Sequence, residues 1–301
     1  MTPVIIEAAI NGIASKSRGA QVPCAPAEIA ADGLACLSAG AAIVHNHIDE
    51  FSGGEAAAAR YLEGWRPLLA ARPDAILYPT VGAGSDVVER YAHIGLLAER
   101  CAMRQSLFDP GSVNLGSLGD DGVPGGGLDF VYANTFNDTR HMVALAEQHR
   151  LGPSIAIFEP GFLRVVLAWW RAGRLPRGAF VKLYFGGAAD YLPGPRPGVS
   201  FGLPPTRTAL AAYLELLGDY PLPWAVAVVG GDVLASGLAR LALERGGHLR
   251  VGLEDYAGER QPSNADLVAE AAALVRASGR AVASCAEAAR LLDLPIGIPS
   301  P

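Results

Sequence analysis

Short apolar runs alternate along the chain with longer segments in which apolar residues recur at helical spacing. A short continuous apolar run suits a strand buried on both faces, and a repeat of three to four residues suits an amphipathic helix. On this pattern the sequence predicts strands at Val4–Ala9, Ile43–His47, Ala75–Thr80, Met103–Leu107, Ser154–Phe158, Ala179–Tyr184, Trp224–Val229 and Leu249–Glu254. Helices are predicted between and after them at Pro26–Ala39, Ala56–Ala71, Asp86–Arg100, Asp138–Arg150, Phe162–Ala172, Thr206–Leu217, Asp232–Arg245 and Ser263–Ser278. Pro26 suits a first helical turn, and Gly40 is a good stop for the helix before it. Strand then helix, repeated eight times, predicts a single α/β domain over 1–301, a (β/α)8 TIM barrel with a short final helix near Cys285–Leu292.

The main competitor is a doubly wound open sheet, which usually has fewer strands and often an identifiable phosphate loop. Two glycine-rich stretches bear on it, Gly116–Gly127 and Val229-Gly230-Gly231-Asp232. Neither is a Walker A sequence or a clear GxGxxG at the first strand-to-helix turn. The first is expected to be a connecting loop. The second falls at a strand-to-helix junction, where backbone N–H groups can hold a phosphate or carboxylate.

Composition narrows the function classes. A net charge of -6, with no Lys/Arg cluster, excludes a phosphate-tracking surface, so no nucleic-acid partner is expected. The four cysteines, Cys24, Cys36, Cys101 and Cys285, form no CxxC and are expected to be reduced structural thiols of a cytoplasmic protein. MTPVIIEAAING reads as an immediate strand rather than a signal peptide. No apolar run is long enough for a membrane span.

A TIM barrel places chemistry at the C-terminal ends of its strands. The second predicted strand ends in His45-Asn46-His47. Residues two apart on a strand point to the same side, so His45 and His47 project together as two imidazole ligands of one metal would. A catalytic zinc usually takes three protein ligands. His93, His141 and His149 fall in predicted helices, and His248 lies at the wrong end of the eighth strand. The better third ligand is Glu254, in Arg250-Val-Gly-Leu-Glu-Asp255. A carboxylate beside a metal and an arginine stays ionised and can take a proton. The alternative is a structural salt bridge. Thr80, with the small residues Gly82, Ala83 and Gly84 after it, and Ser112 with Asn114 are candidate substrate contacts, or turn formers.

These residues resemble the β-keto acid cleavage enzyme family, in which 3-keto-5-aminohexanoate cleavage enzyme is the named member. The resemblance runs from Val4–Gly12 through Val44-His-Asn-His47, Gly111-Ser-Val-Asn114 and Trp224–Gly230 to Arg250–Asp255. It implies a zinc-dependent barrel that condenses a β-keto acid with acetyl-CoA and cleaves the adduct to acetoacetate and a new acyl-CoA. It implies one zinc on His45, His47 and Glu254, Asp255 as base and Arg250 as its electrostatic partner. Thr80, Gly82, Ala83, Ser112 and Asn114 then line the keto-acid pocket, and a homo-oligomer is expected.

The chain departs from that pattern in three places. Asp49, followed by Glu50, stands where relatives carry arginine, Ala14 where the aminohexanoate enzyme has the glutamate that contacts its substrate's amine, and Thr80 where serine is usual. A β-keto acid other than the aminohexanoate is therefore expected. Asp49 and Glu50 are either solvated loop carboxylates or contacts for a cationic or polar tail. Three alternatives stay open: a metal-dependent aldolase, an amidohydrolase-like hydrolase, and a non-catalytic descendant that binds a keto acid or metal.

Overall fold

The computed structural model describes residues 1–13, 16, 19, 21–189 and 201–294. Ala14 lies outside them. Eight parallel strands form a nearly closed barrel: β1 (Ile6–Ala9), β2 (Ile43–Asn46), β3 (Ile76–Pro79), β4 (Gln105–Phe108), β7 (Gly152–Ile157), β8 (Phe180–Gly186), β9 (Trp224–Val229) and β10 (His248–Val251). Hydrogen bonding orders them β3-β2-β1-β10-β9-β8-β7-β4. β1 therefore pairs with the last strand as well as the second, with Glu7 opposite Arg250 and Ala9 opposite His45. Among the described residues no ladder joins β3 to β4, and this seam is where the barrel is incompletely sealed.

All eight predicted strands form, with edges moved by a few residues. The predicted helices form too, as α1 (Pro26–Ala39), α2 (Gly54–Ala71), α3 (Val87–Arg100), α4 (Phe136–His149), α5 (Pro160–Arg171), α6 (Arg207–Leu217), α7 (Leu238–Glu244), α8 (Asn264–Ala277) and the short α9 (Cys285–Leu291). The caps follow local chemistry: Thr135, Ser263 and Ser284 each close a reciprocal capping box with the acid three residues on. Among the described residues no helix is long and apolar enough to cross a membrane.

Two expectations are corrected. Gly116–Gly127 is not a plain connecting loop. β5 (Val113–Leu118) and β6 (Pro124–Tyr132) pair antiparallel as a hairpin inserted after β4, with a register shift between Gly116 and Leu118. The seventh helix starts at Leu238 rather than Asp232. Asp232 instead accepts from the N–H groups of Leu234 and Ala235, and the chain turns through Gly237, at φ 78°, before the helix begins.

The strand register sorts the side chains into two faces. Alternation makes Ile6 and Ala8 face the helices and sends Glu7 and Ala9 inward. Carried across the ladders, the same parity turns His45, Tyr78, Leu107, Ser154, Lys182, Ala227 and Arg250 inward. A lower apolar layer that includes Ile43, Ile76, Phe180 and Ala225 fills the floor. The next layer is charged, and the site stands on it.

Candidate metal centre

His45 ends the inward set of β2, and His47 lies one residue past that strand. Glu254 is not on β10, as the sequence reading had it, because the strand ends at Val251. Gly252, at φ 139°, then turns the chain so close to β1 that a Cβ there would sit 2.0 Å from the Ala9 carbonyl oxygen. Only glycine fits that crossing. The Glu254 N–H then donates to the same Ala9 carbonyl at 3.1 Å. On a strand, Glu254 and Asp255 would point to opposite faces. The turn lets both adjacent carboxylates reach one arginine.

Arg250 is that arginine, and it is fully buried. Its Nε and Nη2 donate to Asp255 Oδ2 and Oδ1 at 2.7 and 3.1 Å, a bidentate pair. Nη2 also meets Glu254 Oε1 at 2.9 Å, and Nη1 donates to Glu7 Oε1 at 2.8 Å. Below it, Lys182 Nζ donates to the Tyr78 hydroxyl at 2.6 Å, and that hydroxyl donates to Glu7 Oε1 at 2.5 Å. Burial would raise the Glu7 carboxyl's pKa, but Lys182 and Arg250 outweigh it and hold the group below its ordinary value.

His45, His47 and Glu254 bring their ligand atoms within 4.8 Å of one another. His45 Nε2 lies 3.3 Å from Glu254 Oε2, and His47 Nε2 lies 3.6 Å from Oε1. Burial drives the His45 pKa down to about 3, so the ring is neutral near pH 7. Its Nδ1 lies 3.2 Å from the Tyr78 carbonyl oxygen, which only accepts, so the ring proton is assigned to Nδ1. Nε2 then turns a lone pair toward a carboxylate oxygen that is buried and has no hydrogen-bond partner. Two acceptors facing each other in a dry interior repel unless a cation joins them. The donor set, two imidazoles and a carboxylate, is that of a catalytic zinc. The residues fit a metal.

Backbone clamps hold these ligands. Asn11 grips the His47 peptide from both sides, and Asn264, fully buried, accepts from the Leu253 N–H at 2.8 Å and donates to the Ile10 carbonyl at 2.8 Å. Gly12, at φ 59°, packs on Glu254, where a Cβ would come within 2.4 Å of Cγ. The Gly230 N–H donates to the Asp255 carbonyl at 2.8 Å, and the Asp232 carboxylate occupies the turn after it. The second glycine stretch is thus an anchor for Asp255, not an open anion cradle.

Two opposed influences act on the acids. Burial would raise Glu254, but the Arg250 guanidinium beside it brings it well below the ordinary carboxylate value. Asp255 goes the other way: burial raises it, and Arg250 recovers only part. Adjacent carboxylates with divergent proton affinity suit one to a ligand's role and the other to a proton acceptor's.

The remaining candidates lie around the mouth. Thr80 follows β3, and its carbonyl oxygen lies 2.8 Å from His93 Nε2. The N–H groups of Gly82 and Ala83 already donate to Arg90 and Ser52 carbonyls. Ser112 exchanges hydrogen bonds with the Asn134 backbone at the root of the hairpin, and Asn114 is exposed on β5. Asp49 does not await a cationic tail, because Arg60 on α2 holds both of its oxygens, at 2.8 and 2.6 Å. Glu7, Asn11, Tyr78, Lys182 and Asn264 were not singled out from the sequence. The signal was present for Glu7 and Lys182, each a lone charge in an apolar strand that had to be paired.

Fold and site together define a (β/α)8-barrel enzyme class with a buried His-His-Glu centre beside an arginine-held aspartate. The beta-keto acid cleavage enzyme family matches residues 3–294, and the chain belongs to it. Over 304 residues it is 30% identical to 3-oxoadipate:acetyl-CoA acetyltransferase of Cupriavidus necator, covering 97% of this chain and 95% of that one. It is 28% identical to 3-dehydrocarnitine:acetyl-CoA trimethylamine transferase of Rhizobium meliloti, covering 97% of this chain and 96% of the relative. It is 26% identical to 3-keto-5-aminohexanoate cleavage enzyme of Fusobacterium nucleatum, with 98% and 99% covered. Among solved structures, apo ObcA superposes with TM-score 0.66 at 16% identity, covering 92% of this chain and 66% of that longer one.

Proposed function

We propose that this enzyme condenses a β-keto acid with acetyl-CoA and cleaves the adduct to acetoacetate and a new acyl-CoA, with one zinc ion held by His45, His47 and Glu254. The observation that carries the reading is the pairing of that three-ligand cluster with Asp255, held bidentate by Arg250, in a chain of this family. A bound zinc supplies a Lewis acid that polarises the keto acid's oxygens and acidifies the carbon between its carbonyls.

Asp255 removes a proton from that carbon. Its raised proton affinity favours the transfer, and the Arg250 fork fixes its direction. The resulting carbanion attacks the acetyl-CoA thioester, forms a C–C bond and expels the CoA thiolate. The thiolate then adds to the original ketone. The bond between that carbon and the former carbanion carbon breaks, releasing the acyl-CoA, and the proton returns to give acetoacetate. Atoms balance with no oxidant and no enzyme nucleophile. Arg250 stays cationic throughout, because burial acting against it is outweighed by Asp255 and Glu254. Thr80, Gly82, Ala83, Ser112 and Asn114 are assigned to the keto-acid side of the mouth.

The test incubates zinc-loaded protein with a panel of β-keto acids and acetyl-CoA. Acetoacetate should form only when the thioester is present, and elemental analysis should find one zinc per chain that His47→Ala loses. Metal-free wild type, or equal metal in the variant, would sink the centre. Zinc-loaded protein inert across the panel would sink the reaction.

A further inference from the structure

The metal cluster comes from β2 and the turn after β10, the two neighbours of β1. The opposite wall of the barrel is therefore β7, flanked by β4 and β8. Whatever extends from the cluster across the mouth meets that wall. On that wall Leu107 faces Ser154 and Phe108 faces Ile155, and Asp109 is the next residue, directly after β4 at the mouth end of the strand.

Asp109 is 8% exposed. The Tyr132 hydroxyl, at the end of the inserted hairpin, donates to its Oδ2 at 2.6 Å. The Tyr132 ring packs edge-on to Phe158, which in turn packs on Tyr184 and Phe201, so the hydroxyl has a fixed position. Oδ1 makes no hydrogen bond among the described residues. Burial raises the Asp109 pKa, and Lys182 and Arg250 act on it from the barrel interior. A buried carboxyl at the mouth thus has one oxygen held by Tyr132 and one that no hydrogen bond among the described residues holds. The metal centre does not use it, and the sequence reading had not singled it out.

We propose that Asp109 and Tyr132 form the tail subsite of the β-keto acid and select a substrate with a hydroxyl on its acyl tail. The proposal rests on the keto-acid reading of the metal centre. A hydroxyl can donate to Oδ1 or accept from a protonated carboxyl, so it satisfies the group in either state. An ammonium is disfavoured because it costs far more than a hydroxyl to strip of water at a position this buried. A methyl offers the carboxyl no hydrogen-bond partner and displaces the water that could supply one.

The experiment uses zinc-loaded full-length protein and three matched acids, 3-oxohexanoates carrying hydroxyl, methyl or amino at carbon 5. Their dissociation constants are measured by calorimetry without acetyl-CoA. The hydroxyl acid should bind about tenfold more tightly than the methyl acid, as one hydrogen bond to a buried acidic group implies. Asp109→Leu should erase that ratio. Tyr132→Phe, a milder change should the first variant fail to fold, should lower it about threefold. Equal affinities in wild type, no binding, tighter binding of the methyl or amino acid, or an unchanged ratio in the variants would overturn the subsite. Adding acetyl-CoA separates the two readings. A retained binding preference without acetoacetate formation supports the subsite and removes the reaction.

Discussion

Asn11 holds His47 by its peptide rather than its ring: Oδ1 accepts from the His47 N–H at 2.8 Å, and Nδ2 donates to the His47 carbonyl at 3.0 Å. The same Nδ2 reaches the Pro23 carbonyl at 2.9 Å, so one amide ties the end of β1 to the proposed metal ligand and to the approach to α1. Groups that orient a ligand without touching the metal commonly change its affinity by about 10–100-fold. Asn11→Ala should therefore weaken zinc binding by that order in a competitive chelator titration, with a stability loss of about 1–3 kcal/mol. Wild-type zinc affinity in the variant would show that the clamp is not needed.

Asp255 should be separable from the metal. Asp255→Asn keeps the shape and a partner for Arg250 but cannot accept the proton. Deuterium exchange at the carbon between the carbonyls, followed by NMR without acetyl-CoA, should slow by on the order of 10²–10⁴-fold. Zinc content should stay at one per chain. Exchange at the wild-type rate would assign the base elsewhere.

The charged floor is a coupled unit. Lys182→Met leaves Glu7 with one fewer cation in a fully buried site and should destabilise by about 3 kcal/mol in chemical denaturation. Adding Glu7→Gln removes the stranded charge and should recover a third or more of the loss. Strict additivity of the two changes would show that the pair does not interact.

Asp32, on α1, accepts from Asn264 Nδ2 at 2.7 Å, and burial raises its pKa from 3.8 to about 6. The fold therefore favours the protonated acid. Between about pH 4 and pH 6 the folded chain binds more protons than the unfolded one, so stability present below pH 4 is lost as pH rises through 6. Asp32→Asn carries no such penalty. It should stabilise the protein at pH 7.5 by on the order of 1–3 kcal/mol, with little gain at pH 4. An equal gain at both values would mean that the carboxyl's charge is not the cause.

Much of this was legible in the sequence because barrel strands are apolar on both faces and short, which isolates them from the helices. His45 and His47 could be placed by a period of two alone. Glu254 was found for a partly wrong reason: the sequence read it on the strand, whereas the turn after Gly252 presents it. That turn depends on a backbone crossing over Ala9 that only the folded barrel creates. The β5–β6 hairpin was missed because its glycines give no alternating pattern, and with it went Tyr132 as a partner for Asp109. Asn11 and Asn264 act through backbone contacts to distant segments, which no local pattern encodes. Asp49 looked like a specificity residue until Arg60, one helix away, was seen to hold it.

The pairing of β1 with β10 has a consequence for the order in which the protein assembles. Glu7 and Arg250 are 243 residues apart, and the two histidines lie near the first of them while the third ligand follows the second. During synthesis the imidazole pair emerges early but has no carboxylate partner until the last barrel strand leaves the ribosome. Long-range closure of this kind is slow to form. With the proposed zinc on these three residues, metal retention by a nascent or proteolysed chain is a readout of whether its two ends have met.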